Sequence, residues 1–164
     1  RQQFHDPEIT EDSLFNYAKL AYELSYDPFH EAIIAFEQYL KTYPNSDRQD
    51  EAFEFLLKVH LATKNYSAAI DALDKIKTLD PIQKEHYQLS AYNLGVENMN
   101  KKNHVEALKY FAMSKKYNVN PAVSSLADYW KGDIAYRESE YDDAISAYRT
   151  FLNNPSAYGT DYYN

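Results

Sequence analysis

The chain repeats the stretch EAIIAF, residues 31–36, three more times in altered form: AAIDAL (68–73), EALKYF (106–111) and DAISAY (143–148). Each copy carries an alanine at the same place, and these alanines are Ala32, Ala69, Ala107 and Ala144. They recur every 37 or 38 residues. Self-similarity at a constant period of this length indicates a repeat architecture.

Each repeated block predicts an amphipathic helix. Four residues after each alanine stands a large apolar side chain: Phe36, Leu73, Phe111 and Tyr148. Three residues before it stands a ring: Phe29, Tyr66, His104 and Tyr141. These offsets lie on one helix face, so the alanine marks the point where a partner helix comes closest. We therefore expect five of the rings in the interior: Phe36, Tyr66, Phe111, Tyr141 and Tyr148.

The segment before each block also has helical periodicity, and a proline follows each second helix. Each repeat is therefore expected to be a hairpin of two helices, and the fold all-α. The eight helices are predicted at about 10–26, 28–42, 47–63, 66–79, 81–101, 104–117, 121–138 and 141–153. The four repeats are predicted at about 12–44, 47–80, 82–119 and 121–155, as a single array over residues 1–164.

Capping residues support these helix starts. Three helices are expected to begin with a capping side chain followed by proline, at Asp27-Pro28, Asp80-Pro81 and Asn120-Pro121. Three pairs have the spacing of a capping box, in which a side chain and a backbone N–H three residues apart bond reciprocally: Ser46 with Gln49, Asp80 with Gln83, and Asn103 with Glu106.

The order of residues within a repeat resembles the tetratricopeptide repeat. The third repeat carries Leu94-Gly95, Ala107, Phe111 and Pro121, and the fourth carries Trp130-Lys131-Gly132, Tyr141, Ala144, Tyr148 and Pro155. Glycine at the shared position allows close helix packing, whereas the first two repeats hold Leu20 or Lys19, and Leu57, there. The resemblance implies a right-handed α-solenoid of about four hairpins with a protein-binding role.

Residues 32–46, AIIAFEQYLKTYPNS, resemble a stretch common in tetratricopeptide proteins of the Gram-negative cell envelope, such as Tol-Pal-associated and outer-membrane-assembly lipoproteins. This resemblance implies a bacterial protein of the periplasm or cell envelope, with the cytoplasm as the alternative. The last residues, NPSAYGTDYYN, resemble the start of another first helix. We therefore expect the chain to be a segment of a longer repeat protein.

Composition excludes several classes of function. The 164 residues contain no cysteine, which rules out disulfides, thiolate nucleophiles and cysteine-ligated metals. The net charge of −8 opposes nucleic-acid binding. No apolar run is long enough to insert into a membrane. Histidine pairs with metal-ligand spacing, phosphate loops and nucleophile motifs are absent, so we expect no enzyme activity, no metal and no cofactor.

In the family that the repeats resemble, the first helices line a concave groove. The positions that resemble ligand-contacting ones, and so form the candidate binding groove, are Asn16, Glu54, Lys58, Tyr92, Val96, Met99, Asn100, Tyr129, Asp133, Tyr136 and Arg137. Their Tyr, Met and Arg content is typical of an interaction surface. A structural alternative is that these rings fill contacts between repeats. Acidic and tyrosine side chains disfavour a clamp for an acidic chaperone tail.

Three functions remain open. The first hypothesis is a non-catalytic scaffold that binds a peptide or protein partner in the groove, with possible self-association through the terminal repeats. The second is an envelope glycan-binding surface, which would need Trp130 and tyrosine rings exposed as flat platforms. The third is a docking segment of a larger enzyme.

Overall fold

A computed structural model describes residues 7–24 and 28–162 of the chain. The described residues form eight α-helices and one short 3₁₀-helix, without a strand. They divide between Thr78 and Leu79 into two compact units, called unit 1 and unit 2 below. The predicted all-α helical-repeat class is confirmed. The division into four repeats of a single array stays a prediction.

Unit 1 contains two helical hairpins. Its helices are α1 (Pro7–Leu24), α2 (Pro28–Thr42), α3 (Gln49–Ala62) and α4 (Tyr66–Leu73). Within the unit, α1 packs against α2, α2 against α3, and α3 against α4. Phe15, Phe36 and Tyr39 are fully buried between α1 and α2, with Phe15 edge-on to both other rings at 5.9 and 4.9 Å. The predicted cap at Asp27 lies outside the described residues.

The predicted capping box at Ser46 does not form. The Ser46 hydroxyl is hydrogen-bonded to the Tyr39 hydroxyl at 2.7 Å and accepts a bond from the Arg48 backbone N–H at 3.0 Å. Tyr39 also donates to Glu11 at 2.7 Å, so the buried phenol is fully engaged. The Ser46 hydroxyl therefore serves as a hydrogen-bond partner of the buried Tyr39 hydroxyl instead of capping α3. The N-cap residue of α3 is Arg48, whose side chain makes no cap bond.

The predicted span 66–79 for α4 is too long, because α4 ends at Leu73. The next N–H groups, of Lys75 and Ile76, donate to carbonyl groups three residues earlier instead of four. This is the tighter hydrogen-bond spacing of a 3₁₀ turn, so the α-helix ends here. The Lys77 N–H then donates to the Asp50 carboxylate of α3 at 3.4 Å. Ile76 is still buried, so the apolar period outlasts the helix. Other described helix ends agree with prediction to within three residues.

Unit 2 also contains two hairpins. Its elements are α5 (Pro81–Asn100), α6 (His104–Ser114), α7 (Pro121–Arg137), α8 (Tyr141–Leu152) and the 3₁₀-helix (Pro155–Ala157). Two expected caps hold: Asp80 and Gln83 form a complete capping box, and the Asn120 side chain accepts from the first turn of α7. Asn103 makes no side-chain cap bond, and Glu106 pairs instead with Lys109 at 3.2 Å.

The repeat alanines lie where the sequence places them. Ala32, Ala69, Ala107 and Ala144 are all buried. Phe36 and Phe111 are buried as expected, and Tyr66 and Tyr148 are half-buried. The expectation for Tyr141 is wrong, since 57% of this residue is exposed and its ring packs only edge-on to Tyr136, at 5.9 Å. As the first residue of α8 it lies beside the turn that joins α7 to α8.

The two helical glycines meet large rings of the paired helix. A Cβ at Gly95 would lie 2.5 Å from the Phe111 ring, and one at Gly132 would lie 2.8 Å from the Tyr148 ring. Each hairpin of unit 2 therefore closes by placing an aromatic ring on glycine, as the resemblance predicts.

The turns inside three hairpins share one conformation. Lys64, Lys102 and Ser139 each stand five residues before a repeat alanine and have φ of 57°, 58° and 65°. The next residue donates its N–H back across the turn, from Asn65 to His60 at 2.8 Å and likewise in the other two turns. This is the Schellman motif that ends helices, here without the usual glycine.

Candidate functional site

Unit 2 gathers aromatic side chains from α5 and α7. Tyr92 and Tyr129 stand fifteen residues before Ala107 and Ala144, so they occupy one position in consecutive repeats. Trp130 follows Tyr129, and its Nε1 donates a hydrogen bond to the Tyr92 hydroxyl at 3.0 Å. All three rings are half-buried. The repeat register therefore places two tyrosines side by side, with the tryptophan joining them.

The core of unit 2 holds these rings in place. Phe111 stacks parallel to Trp130 with ring centroids 6.1 Å apart, and it lies 5.8 Å from Tyr92. Phe111 itself is the ring that covers Gly95. The surface rings therefore rest on a buried side chain that a glycine accommodates, which limits their freedom to move.

Tyr162, near the end of the described residues, completes the cluster. Its ring stacks on Tyr129 with centroids 4.4 Å apart and meets Trp130 edge-on at 5.5 Å. The 3₁₀-helix turns the chain back toward α7, held by the Asn154 side chain, which accepts from the Ser156 N–H at 3.0 Å. The repeat pattern does not single out Tyr162, because this residue has no counterpart in the other repeats.

Charge lies beside the rings. Arg137 donates to the Asp133 carboxylate at 2.6 Å, and this bond raises the pKa of Arg137. Burial raises the pKa of Tyr129, and the Asp133 charge raises it further. Burial also raises the pKa of Tyr92. The phenols therefore keep their protons at neutral pH and can donate hydrogen bonds to a partner.

We call this combined patch the tyrosine surface, and it consists of Tyr92, Tyr129, Trp130, Asp133, Arg137 and Tyr162. Four of these residues were among the sequence-predicted groove positions. Trp130 was considered only as a sugar platform, but its parallel stacking on Phe111 and its contact with Tyr162 reduce the ring area that a sugar could cover.

Other predicted groove residues of unit 2 lie differently. Met99 is buried in the core with Ala107 and Phe111, so it presents little surface to a partner. Val96 is half-buried against the same core. Asn100, the last residue of α5, is exposed. Tyr136 is exposed and contacts Tyr141.

Three predicted groove residues lie in unit 1. Asn16 on α1 and Lys58 on α3 are exposed, while Glu54 is half-buried. The Lys58 ammonium lies 4.8 Å from the centre of the Phe55 ring, and the Lys19 ammonium lies 5.4 Å from it. Of these three groove residues, Lys58 therefore places a cation over an aromatic ring, joined there by Lys19 from α1.

Among the described residues, no three His, Asp or Glu side chains form a group that could hold a metal ion. In the same part of the chain, no helix combines the length and apolar character that a membrane span requires. His60 is buried. His104 is half-buried and contacts Glu138.

The helical hairpins define an all-α helical-repeat protein. Two stretches of the chain match family models described as tetratricopeptide repeat, at residues 12–46 and 116–158. The chain therefore contains tetratricopeptide repeats in these two stretches. Such repeats generally mediate protein–protein interactions and are typically non-catalytic. No curated protein matches the chain significantly.

Proposed function

We propose that this chain is a non-catalytic scaffold that binds a peptide or protein partner on the tyrosine surface. Tyr162 carries the proposal, because an aromatic side chain from a separate chain segment already stacks there on Tyr129 at 4.4 Å. A partner that offers an aromatic or aliphatic side chain would pack on Tyr162, 42% of which is exposed, and meet the phenol donors beside it. Tyr, Trp and Arg together are the side chains that dominate binding energy in protein interfaces.

The stretch 32–46 makes the bacterial cell envelope the compartment in which to look for that partner, with the cytoplasm as the alternative. The scaffold role includes the expectation that no cofactor and no nucleic acid takes part. Self-association through the terminal repeats belongs to the same proposal, and the faces near Arg1 and Asn164 lie outside the described residues.

The test is affinity capture from the native lysate with the wild-type chain and a Tyr129→Ala/Arg137→Ala variant. Tyr17→Ala serves as the matched control, because Tyr17 is an exposed tyrosine of unit 1. We expect a protein that the wild type and the control retain and the double variant loses. The interface energy of a hot-spot residue, about 2 kcal/mol or more, corresponds to a roughly thirtyfold loss of affinity.

Circular dichroism of the double variant must first match that of the wild type. If all three chains then capture the same proteins, the tyrosine surface is not the binding site.

A further inference from the structure

Unit 1 has a pocket of about 320 Å³ between α2, α3 and α4. Five of its lining residues are apolar: Leu40, Phe53, Leu56, Ala68 and Ala72. The other four are ionisable: Glu37, His60, Asp71 and Lys75. Glu37, Asp71 and Lys75 are exposed, whereas His60 and Leu56 are buried. The pocket therefore combines an apolar interior with a charged rim.

His60 contributes an unpaired polar group to this pocket. Only 8% of the residue is exposed, and its Nδ1 has no hydrogen-bond partner. Burial lowers the pKa of His60, while the negative charges of Glu37 and Asp71 act in the opposite direction. A buried polar atom without a partner costs free energy, and the lowered pKa keeps the ring uncharged at neutral pH. The imidazole is therefore a neutral polar group within the pocket wall.

The corresponding groove of unit 2 has different chemistry. Counted from the repeat alanines Ala32, Ala69, Ala107 and Ala144, Leu40 corresponds to Lys115 and Phe53 to Asp128. Lys115 and Asp128 form an ion pair at 2.6 Å. Two cavities open in that groove, and both are lined by Leu108, Asp128 and Lys131. The one of about 340 Å³ is also lined by Phe111, Ala112 and Ala127.

Other positions of the groove differ as well, on α3 and α4 of unit 1 and on α7 and α8 of unit 2. Leu56 and His60 correspond to Lys131 and Ala135, and Ala68 corresponds to Asp143. At these positions of the repeat, unit 2 has an ion pair and two further charged side chains, whereas unit 1 has apolar side chains and a histidine. An apolar lining is found in both units, whereas the histidine and the rim charges of Glu37, Asp71 and Lys75 are particular to unit 1, since unit 2 has Ala135, Ala112, Ser146 and Thr150 at those positions.

We propose that this pocket receives a bulky apolar side chain of a protein partner, with a neighbouring lysine or arginine of that partner pairing with Glu37 and Asp71. The volume lies at the lower end of ligand pockets, about 300–1,000 Å³, which suits one large side chain. Two carboxylates outweigh Lys75 at the rim, and the whole chain carries a net charge of −8. A cationic partner is therefore favoured over an acidic one.

The test uses the full chain and three acetylated, amidated pentapeptides: Gly-Lys-Phe-Lys-Gly, Gly-Glu-Phe-Glu-Gly and Gly-Lys-Gly-Lys-Gly. Methyl NMR spectra report on Leu40, Leu56 and Ala72. We expect the first peptide to shift these methyl signals saturably. The glutamate peptide should bind roughly tenfold more weakly or not at all because its charges oppose the rim. The peptide without phenylalanine should leave the signals in place.

Two variants locate the binding. Glu37→Gln/Asp71→Asn alters exposed side chains only. It should lower the affinity for Gly-Lys-Phe-Lys-Gly about two- to tenfold, as expected for exposed ion pairs. Leu40→Lys/Phe53→Asp installs the ion pair of unit 2 and should abolish the methyl shifts, provided that circular dichroism shows a folded chain.

Tyr129→Ala alters the tyrosine surface and should leave binding at the pocket unchanged, so this proposal can fail without the proposed function failing. The pocket proposal is overturned if the first peptide leaves the methyl signals unmoved, or if the glutamate peptide binds equally well. It is also overturned if the Glu37→Gln/Asp71→Asn variant binds as tightly as the wild type.

Discussion

Gly95 shows how a single residue sets the packing of a hairpin. A side chain there would meet the Phe111 ring, which is buried and stacked on Trp130 and so has little room to move. The glycine therefore decides how closely α5 and α6 approach, and through Phe111 it also supports the rings of the tyrosine surface. One missing Cβ links the core of unit 2 to its candidate binding site.

Gly95→Ala should lower the free energy of unfolding by about 1–2 kcal/mol. Overpacking a core costs about 1–3 kcal/mol, and a Cβ only 2.5 Å from a buried ring places this substitution in the upper part of that range, at about 2–3 kcal/mol. The better helix propensity of alanine returns about 1 kcal/mol of that loss. Urea denaturation followed by circular dichroism measures the change. Gly159→Ala is the control, because a Cβ there meets no atom within 4 Å, and it should change stability by less than about 0.5 kcal/mol.

A second substitution separates overpacking from other causes. Phe111→Leu in the Gly95→Ala background should recover part of the loss, since it makes room for the new methyl group. A Gly95→Ala protein as stable as the wild type would contradict the packing described for this hairpin.

The sequence could predict which alanines and glycines are buried, because a repeat imposes the same contact four times and the pattern is averaged over the copies. It could not predict Tyr162, whose place on Tyr129 depends on a turn that occurs once. It also placed Met99 in the groove, although the side chain turns into the core. A position such as Met99, near the end of α5, can face the groove or the core, and the packing of the neighbouring helices determines which of the two it faces.

At the scale of the element, the turns inside the hairpins bear a conformational cost. Lys102 ends α5 with φ of 58°, a region where a Cβ is unfavourable. Lys64 and Ser139 repeat this conformation in two other hairpins. The sequence did not predict these turns, because the usual marker, a glycine after the helix, is missing.

Lys102→Gly should therefore raise the free energy of unfolding by about 0.5–1 kcal/mol. Glycine adopts the left-handed region without the steric cost that lysine has there, and that gain exceeds its greater loss of chain entropy. Thermal unfolding measures the effect as a higher midpoint. Lys101→Gly is the matched control one residue earlier, where φ is −82°. It should be neutral or destabilising, and a lower midpoint for Lys102→Gly than for Lys101→Gly would contradict the prediction.

The length of α4 shows the limit of periodicity at the same scale. Ile76 continues the apolar pattern of α4 and is buried, yet the chain has already left the helix. A carboxylate on another helix, Asp50, accepts the Lys77 N–H. Apolar periodicity predicts which side chains face the core. It does not predict where α4 ends, because the chain after Leu73 is hydrogen-bonded to Asp50, a residue distant in sequence.

At the scale of the whole molecule, each compact unit has its own core. In repeat proteins stability is close to a sum of the repeats and their neighbouring interfaces. Unit 1 buries the cluster around Phe36 and Tyr39, and unit 2 buries the cluster around Phe111 and Ile134. The capping box that starts α5, at Asp80 and Gln83, lies wholly within unit 2.

Residues 1–78 and 79–164, expressed as separate chains, should therefore each fold with helical circular dichroism and a cooperative thermal transition. Segments of this size bury enough surface for marginal stability. A matched fragment ending at residue 65 tests the role of the hairpin, because it removes α4 and exposes the face of α3 that α4 covers. That fragment should lose its cooperative transition. If residues 79–164 fail to fold alone while the whole chain folds, unit 2 does not have a self-sufficient core.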